Sequence, residues 1–474
     1  MSFISFKFLL ILPLVAALYQ ILPVRCRVLF LLIASYGYIC TANFKAAGIL
    51  AAATLFTFRM GQIGGDSSFE KRSRVPFWCG ISGLTLILLF FKAVAALPVN
   101  RAANLVIPLG LSYYTFKLMS YLIDVDWGKI EPARSLEDFA AAIAFFPQIA
   151  AGPIQRPASF FQQLPPARTA VWLGLSRLVW GLAKKILIAD NLAPTVNYVF
   201  EHIPSLHGAS LLAGFYLFPL QMYADFSALT DVALGMGLLF GIVGPENFNR
   251  PFTASSISDF WRRWHMSLTN WLADYVFLPL RMATRSAGTV GLVLSITLNM
   301  LAVGLWHGFT WGYFIFGALN AAYLVGDALT VRSRSAFFKA RPGIDRWGGW
   351  AGCLFTLHLF FLAMVFFRAS APHDALSLLS HALSGLNSFR TDLAQLAAAT
   401  GSRALMIGLA GYVFLELAER LRPDLWWKRM ESTAPVWVRG PARCALAIGI
   451  LASLFVFTVR PGAGQESAFL YQVF

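Results

Sequence analysis

The segment NMLAVGLWHGFTWGYFIFGALNAAYL, Asn299–Leu324, contains one histidine, His307, and no Asp, Glu, Lys or Arg. A span of lipid bilayer takes about 20 apolar residues, and apolar residues continue beyond both ends of this segment. A histidine removed from water costs free energy, so its place in the Trp-His-Gly sequence needs a structural or chemical reason. The segment predicts two membrane-spanning helices that meet at a polar break.

The composition of the whole chain agrees with a membrane location. Of the 474 residues, 58% are hydrophobic and only 13% are charged, whereas soluble globular proteins carry about 25% charged residues. Apolar runs recur along the chain, the last at Ala445–Val459, and the period-two alternation of a membrane barrel is not sustained. We therefore predict an all-α polytopic membrane protein with about 11–13 transmembrane helices, together with re-entrant or interfacial helices.

The net charge of +15 comes from basic residues between the apolar runs, for example in Arg332–Arg346 and Arg420–Arg443. This distribution is typical of cytoplasmic loops of membrane proteins, and it does not indicate nucleic-acid binding. If Arg332–Arg346 is a cytoplasmic loop, Arg368–Arg403 lies outside. The same alternation places His307 toward the outer half of the membrane.

Two regions combine apolar residues with helix breakers or charges. Phe139–Val199 contains six prolines or glycines in its first part, and Ile257–Leu280 is both aromatic and charged. Irregular backbone at membrane depth is tolerated where it is packed in protein or lines a water-filled cavity. We expect both regions to be re-entrant, interfacial or cavity-lining, and to hold the working centre.

The histidines differ in their sequence context. His265 and His307 are each preceded by tryptophan and adjoin irregular segments, which favours a functional role. His358 is intramembrane, and its sequence favours a hydrogen bond between packed helices. Surface or interfacial positions are predicted for the other four: His202, His207, His373 and His381.

Other motifs restrict the possible chemistry. We find no metal-ligand motif, nucleophile elbow, P-loop or dinucleotide fingerprint, and the five cysteines are scattered singly. Asp225 and Asp231 adjoin an apolar run, and each could be a functional carboxylate or one half of a buried ion pair with an arginine. The remaining candidate is a histidine that acts as a general base, with a thioester as acyl donor. Its imidazole would be neutral, because burial disfavours imidazolium.

At these residues the chain closely resembles the membrane-bound O-acyltransferase family, in particular its bacterial branch that acetylates polysaccharides such as alginate. The resemblance spans nearly the whole chain. Its motifs are GLSYYTFKLMSYLIDV (Gly110–Val125), FFPQIAAGPIQRPASFFQQL (Phe145–Leu164), YADFSALTDVALG (Tyr223–Gly235), NFNRPFTASSISDFWRRWHMSLTNWLADYVFLPL (Asn247–Leu280), LWHGFTWGYFIFGALNAAYL (Leu305–Leu324) and the ending FLYQVF (Phe469–Phe474).

The resemblance implies a funnel of helices thinned at its centre, where a cytosolic donor and an extracytoplasmic acceptor approach one site. It also implies a single integral-membrane domain with N-terminal helices (1–125), a catalytic core (126–330) and C-terminal helices (331–474). By resemblance His307 is the catalytic histidine and His265 the second active-site residue. Five further residues are predicted to bind donor or substrate: Arg262, Arg263, Trp306, Asp225 and Asn299.

The activity that follows is transfer of an acyl group, most simply acetyl, from acetyl-CoA or another thioester, with no bound cofactor or metal. The predicted location is the bacterial inner membrane. The final acceptor would be an exported or cell-wall polysaccharide, reached through an extracytoplasmic partner of the SGNH esterase or transferase type. The alternatives are D-alanyl or other acyl transfer by the same fold, and a transporter or flippase without chemistry.

Overall fold

The computed structural model describes residues 6–65, 73–96, 108–166, 169–384 and 386–420, with a few more between 430 and 445. Within these ranges the regular secondary structure is helical, and no β-strand occurs. The helices are α1 Phe6–Ile21, α2 Val24–Ala42, α3 Phe44–Gly65, α4 Val75–Ala96, α5 Leu111–Asp126, α6 Leu136–Ala144, α7 Phe146–Ile149, α8 Pro157–Phe161, α9 Val171–Ala183, α10 Asp190–Glu201, α11 Gly208–Leu239, α12 Ile257–Trp261, α13 Met266–Leu272, α14 Leu278–Ala283, α15 Gly288–His307, α16 Trp311–Lys339, α17 Pro342–Arg368, α18 Pro372–His381, α19 Phe389–Thr400 and α20 Ser402–Arg420.

Six helices in the described part of the chain are long and apolar enough to cross a membrane: α2, α3, α4, α15, α16 and α17. The pair α19 and α20 meets the same criterion jointly, although the two helices are bent by 101° at Gly401. The all-α polytopic fold is thus confirmed. The total of about 11–13 spans stays a prediction, since all of Ala445–Val459 after its first residue and the ending Phe469–Phe474 lie outside the described residues.

The basic stretch Arg332–Arg346 is mostly helical, which corrects its prediction as a loop. Helix α16 continues to Lys339 and α17 begins at Pro342, so only Ala340 and Arg341 separate them. Arginine and lysine are good helix formers, and their long side chains can reach water from a helix end. Charge therefore marks where the chain leaves the apolar layer, and proline marks where the next helix begins.

One compact unit contains the described residues of Met1–Leu182, Ala228–Pro245 and Arg422–Val473. Its proline-rich stretch folds as the short helices α6, α7 and α8, as expected for irregular backbone. The buried Lys117 on α5 donates to the Ala142 carbonyl at 3.0 Å and to Gln148 Oε1 at 3.1 Å. Gln148 Nε2 in turn donates to Gln155 Oε1 at 2.6 Å. Side chains thus satisfy polar groups that the broken helices expose.

The other unit contains Ala183–Ser227 and Glu246–Leu421, and it holds every residue predicted to be catalytic. Its centre is the antiparallel pair α15 and α16, followed by α17. The predicted irregular region Ile257–Leu280 forms α12, α13, a π-helical segment Ala273–Phe277 and the start of α14. A second π-helical segment, Lys184–Ala189, precedes α10. Such segments are rare and frequent at functional sites.

Candidate active site

The Trp-His-Gly break is the turn between α15 and α16. Helix α15 ends at His307, and Gly308 continues as extended backbone with φ 168° and ψ 173°. A Cβ atom on Gly308 would lie 2.8 Å from a ring carbon of Tyr313, so the glycine is needed for this close approach. Thr310 then starts α16, because its hydroxyl accepts from the Tyr313 N–H at 3.4 Å. His307 is therefore held at a helix end in a tight turn.

Two glycines bring α15 and α16 into backbone contact just before this turn. A Cβ atom on Gly304 would collide with the Tyr313 carbonyl oxygen, and one on Gly317 would lie 2.7 Å from the Met300 carbonyl oxygen. Small residues permit such close packing between membrane helices. The contact fixes the end of α15, and with it the position of His307.

His265 lies between α12 and α13 and is only 2% exposed. Its backbone is left-handed, with φ 45° and ψ 49°, a conformation that few residues other than glycine adopt. Two main-chain hydrogen bonds support it: Asn249 N donates to the Arg263 carbonyl at 3.0 Å, and Met266 N donates to the Asn247 carbonyl at 2.9 Å. The irregular segment 247–249 therefore braces the turn that carries His265.

One tryptophan side chain lies between the two predicted catalytic histidines. The ring of Trp306 is 5.8 Å from the ring of His265 and 4.9 Å from the ring of His307, centroid to centroid, and both contacts are edge-on. Phe226 on α11 packs edge-on against His265 at 4.8 Å. The structure thus brings His265, Trp306 and His307 together in one aromatic cluster.

The half-buried ring of His307 has aromatic neighbours on several sides. Phe367 near the end of α17 packs edge-on at 4.8 Å, Tyr313 lies at 5.9 Å and Phe316 at 6.3 Å. Aromatic walls lower the local dielectric and leave few orientations to an imidazole. This setting suits a ring that must hold one position while it exchanges a proton.

Two polar contacts fasten α12 to α16. The Trp261 indole N–H donates to Asn320 Oδ1 at 3.3 Å, and the Ser258 N–H donates to Asp327 Oδ2 at 3.2 Å. The segment before His265 is thereby tied to the helix that follows His307. The two contacts thus hold α12 and α16, which are far apart in the sequence, in a fixed relative position.

His265 lies outside the helices that qualify as membrane spans. Burial of the imidazole lowers the pKa of His265 from 6.5 to about 3, because desolvation penalises the charged form. The ring is therefore neutral at physiological pH and can act as a base or hydrogen-bond acceptor.

The two arginines predicted to bind donor lie directly after α12, and both pair with Asp259. Arg262 Nη2 is 3.3 Å and Arg263 Nη2 is 2.9 Å from carboxylate oxygens of Asp259. The Arg262 side chain is 69% exposed, whereas Arg263 is 32% exposed and also donates to Thr253 Oγ1 at 3.2 Å. Of the two, Arg262 is the more accessible to a charged donor.

The remaining predicted residues are placed differently. Asp225 is 1% exposed and pairs with Lys185 at 2.7 Å, so a buried ion pair exists, with a lysine in place of the expected arginine. Asp231 does pair with an arginine, Arg177, at 2.9 Å. Asn299 lies on α15 two turns before His307, and its Oδ1 is buried and accepts no hydrogen bond from the described residues.

The other histidines follow their predicted roles. His358 Nε2 lies 3.1 Å from the Tyr216 hydroxyl, which joins α17 to α11, and its Nδ1 lies 2.7 Å from the Leu354 carbonyl oxygen. The four histidines predicted at the surface or interface are all exposed: His202, His207, His373 and His381.

Sequence reasoning missed four residues of the site: Asn247, Phe226, Tyr313 and Phe367. Asn247 and Phe226 stood inside quoted motifs, but their roles depend on contacts with His265, which lies 18 and 39 positions further along the chain. Tyr313 could have been found from its place three residues after the capping threonine. Nothing in the local pattern distinguishes Phe367 from the apolar residues around it.

The fold and this site define a multi-pass helical membrane enzyme. The sequence profile of MBOAT, the membrane-bound O-acyltransferase family, matches residues 134–368, which include both histidines of the cluster. The chain is 33% identical over 387 residues to the probable alginate O-acetylase AlgI of Azotobacter vinelandii, covering 78% of this chain and 75% of the relative.

Two further relatives carry different names. The peptidoglycan O-acetyltransferase of Helicobacter pylori is 28% identical over 76% of this chain and 74% of its own. The teichoic acid D-alanyltransferase of Bacillus subtilis is 28% identical over 58% of this chain and 74% of its own. The chain belongs to the membrane-bound O-acyltransferase family, and it is a membrane-bound acyltransferase. This membership sets aside the alternative of a transporter without chemistry.

Proposed function

We propose that the chain transfers an acetyl group from a cytosolic thioester, acetyl-CoA or a carrier thioester, across the bacterial inner membrane for O-acetylation of an exported or cell-wall polysaccharide. The observation that supports this most directly is the cluster in which Trp306 contacts both His265 and His307. The names of the relatives support the polymer class, since alginate, peptidoglycan and teichoic acid appear in them.

In the proposed reaction the acceptor hydroxyl oxygen bonds to the thioester carbonyl carbon, and the bond between that carbon and sulfur breaks. His307 removes the hydroxyl proton as general base, and this proton then leaves with the thiol. His265 either polarises the thioester carbonyl or takes part in moving the proton. Arg262, exposed beside the site, is our candidate for contact with the negatively charged end of the donor.

D-alanyl transfer is the second candidate function, and the teichoic acid D-alanyltransferases among the relatives favour it. Identity and coverage are higher for the alginate O-acetylase of Azotobacter vinelandii, 33% over 78% of this chain, than for the D-alanyltransferase of Bacillus subtilis, 28% over 58%. We therefore place acetyl transfer first. The two candidates differ in the donor, which an assay can supply directly.

We further propose that an extracytoplasmic SGNH-type protein completes the transfer to the polymer. A polysaccharide is large and polar, and bringing it into an aromatic site would require extensive desolvation. The outer segment Arg368–Arg403 comprises α18, α19 and short connections, which is too little chain for a carbohydrate-binding domain of ordinary size. A relay through a partner avoids both difficulties.

The test is reconstitution in sealed vesicles with labelled acetyl-CoA inside and acceptor outside. We expect label to reach an external acceptor with the wild-type chain and not with His307→Ala, while His358→Ala remains active. Transfer only from a D-alanyl carrier thioester would replace the acetyl proposal by its alternative. Efficient labelling of external polysaccharide without any partner protein would refute the relay and leave acetyl transfer standing.

A further inference from the structure

Asn247 contacts the side chain of His265 from a separate segment of the chain, and its surroundings fix which of its amide atoms does so. The residue is fully buried. Its Oδ1 receives the Ser267 backbone N–H at 3.1 Å and the Ser267 hydroxyl at 2.6 Å, and it lies 3.3 Å from His265 Nδ1. A backbone N–H can only donate. The amide atom at this point must therefore be the oxygen. If the amide were flipped, its NH₂ group would face the backbone N–H of Ser267, and both groups are donors.

The identity of that atom decides the proton position on the imidazole. A carbonyl oxygen can only accept, so the nitrogen that contacts it, His265 Nδ1, must be the donor. A neutral imidazole carries one proton, and burial keeps this ring neutral, as its lowered pKa shows. With the proton on Nδ1, Nε2 presents a lone pair.

We propose that Asn247 is a positioning residue that holds His265 in the Nδ1–H tautomer, so that Nε2 accepts a proton or a hydrogen bond from the reacting groups. This inference rests on the proposed function, in which His265 acts in acyl transfer. It also selects between the two roles left open for His265. A lone pair on Nε2 cannot donate to a thioester carbonyl oxygen, so the role of His265 is in proton movement.

The backbone around His265 supports the same assignment. Its left-handed conformation and the main-chain bonds of Asn247 and Asn249 to the turn limit where the ring can point. Phe226 and Trp306 contact the ring edge-on at 4.8 and 5.8 Å. The ring therefore has little freedom to exchange its nitrogens by turning over, and the amide of Asn247 sets which nitrogen carries the proton.

The first test is solid-state NMR of the wild-type full chain in bilayers, with histidine labelled with ¹³C and ¹⁵N. Nδ1 is bonded to Cγ and Nε2 to Cδ2, so carbon–nitrogen correlations identify the protonated nitrogen, and His265→Gln identifies the His265 signals by their loss. We expect the proton of His265 on Nδ1. A proton found on Nε2 in the wild-type chain would overturn the proposal, whatever any variant does.

The second test compares Asn247→Leu, Asn247→Asp and Ser267→Ala in the same preparation. Asn247→Leu removes the acceptor, and we expect loss of the pure Nδ1–H signature and a fall in kcat of at least about tenfold, with KM for donor changed less than about twofold; a wrong tautomer in a catalytic triad lowers kcat by about 10⁴-fold. Asn247→Asp keeps an acceptor and should retain the Nδ1 proton with partial recovery of kcat. Ser267→Ala removes a donor from the same oxygen and should keep the signature.

The outcomes separate the inference from the proposed function. Wild-type kcat in folded Asn247→Leu, together with a severe loss in His265→Ala, would overturn the positioning role alone. Near-normal turnover in His265→Ala would instead remove His265 from the proposed mechanism, even if its proton lies on Nδ1. A kcat that falls equally in Asn247→Leu and Ser267→Ala, with the tautomer unchanged in both, would show a packing effect and overturn the proposal.

Discussion

The imidazole of His265 lies edge-on to the indole of Trp306, with ring centroids 5.8 Å apart. Trp306 directly precedes His307. The last turn of α15 therefore carries both His307 and the indole that contacts His265. The two histidines come from segments separated by 41 intervening positions, yet they share this aromatic wall. The predictions below test the roles of these residues and of the contacts that hold them.

We expect His307→Ala to abolish acyl transfer while the chain still inserts and purifies normally. A general base contributes about 10²–10⁴-fold to the rate, and His307 is only half-buried, so the loss of packing should be modest. Transfer is measured in vesicles, and folding by size-exclusion profile and Tm in detergent. Near-normal transfer in a folded variant would end the catalytic assignment.

His265→Ala should impair turnover severely, whereas His358→Ala should be mild. His358 is a matched control, since it is also a histidine of this unit with two hydrogen-bond contacts, but it lies at the exposed junction of α17 and α11. Steady-state rates of both variants, normalised to folded protein, make the comparison. A larger loss at His358 would show that the wrong second histidine was chosen.

Gly317→Ala should lower both stability and turnover, because its new methyl group meets the backbone of α15 at Met300. Overpacking of this kind costs about 1–3 kcal/mol. Gly326→Ala on the same helix is the control, since a Cβ there meets nothing within 4 Å. We expect its Tm and rate to equal or exceed those of the wild type, as alanine favours helix over glycine. Equal behaviour of the two variants would contradict the role of the backbone contact.

Lys185→Met should destabilise the fold more than Asp225→Asn. Lys185 Nζ lies 2.7 Å from Asp225 and 3.0 Å from Asp190, so its loss leaves two carboxylates without this cation. Breaking a buried pair costs about 3–5 kcal/mol, whereas after Asp225→Asn the lysine keeps Asp190. Thermal unfolding in detergent ranks the variants. A raised KM for donor in Asp225→Asn, at unchanged stability, would instead support donor binding by Asp225.

Cysteines introduced at Ser335 and Ser384 should be labelled from opposite faces. Ser335 lies in the exposed basic end of α16, which lysine and arginine content places in the cytoplasm, and Ser384 lies in the exposed part of the outer segment after α18. Impermeant maleimide applied to intact cells and to inverted vesicles, in a background without the native cysteines, gives the result. The reverse pattern would exchange the donor and acceptor faces.

Local patterns predicted much of this fold because hydropathy and helix breakers act over short distances. The break at His307, the helices on either side of it and the fragmented region Ile257–Leu280 could all be read from the chain. The prediction that Arg332–Arg346 forms a loop is wrong, because its charged residues were treated as marking a helix end. Charged residues end a membrane span without ending the helix.

Contacts between distant segments could not be predicted in this way. The Asn247 amide meets His265 because a loop returns between α11 and α12, and Lys185 meets Asp225 because a π-helical segment packs against α11. Neither pairing leaves a periodic signal. An arginine was expected as the partner of Asp225 because arginine is abundant in the chain. The abundance of a residue type does not show which basic side chain lies next to Asp225.

The glycine contact between α15 and α16 has a mechanical consequence. Where two backbones touch without intervening side chains, there are no flexible groups to absorb sliding, so Gly304 and Gly317 join the two helices into one rigid body. His307, at the end of α15, then keeps its position during each turnover. Movements that admit a long donor or release its thiol would therefore not come from α15 sliding along α16. Because α12 is also fastened to α16, the reacting groups would move past two histidines that both keep their positions.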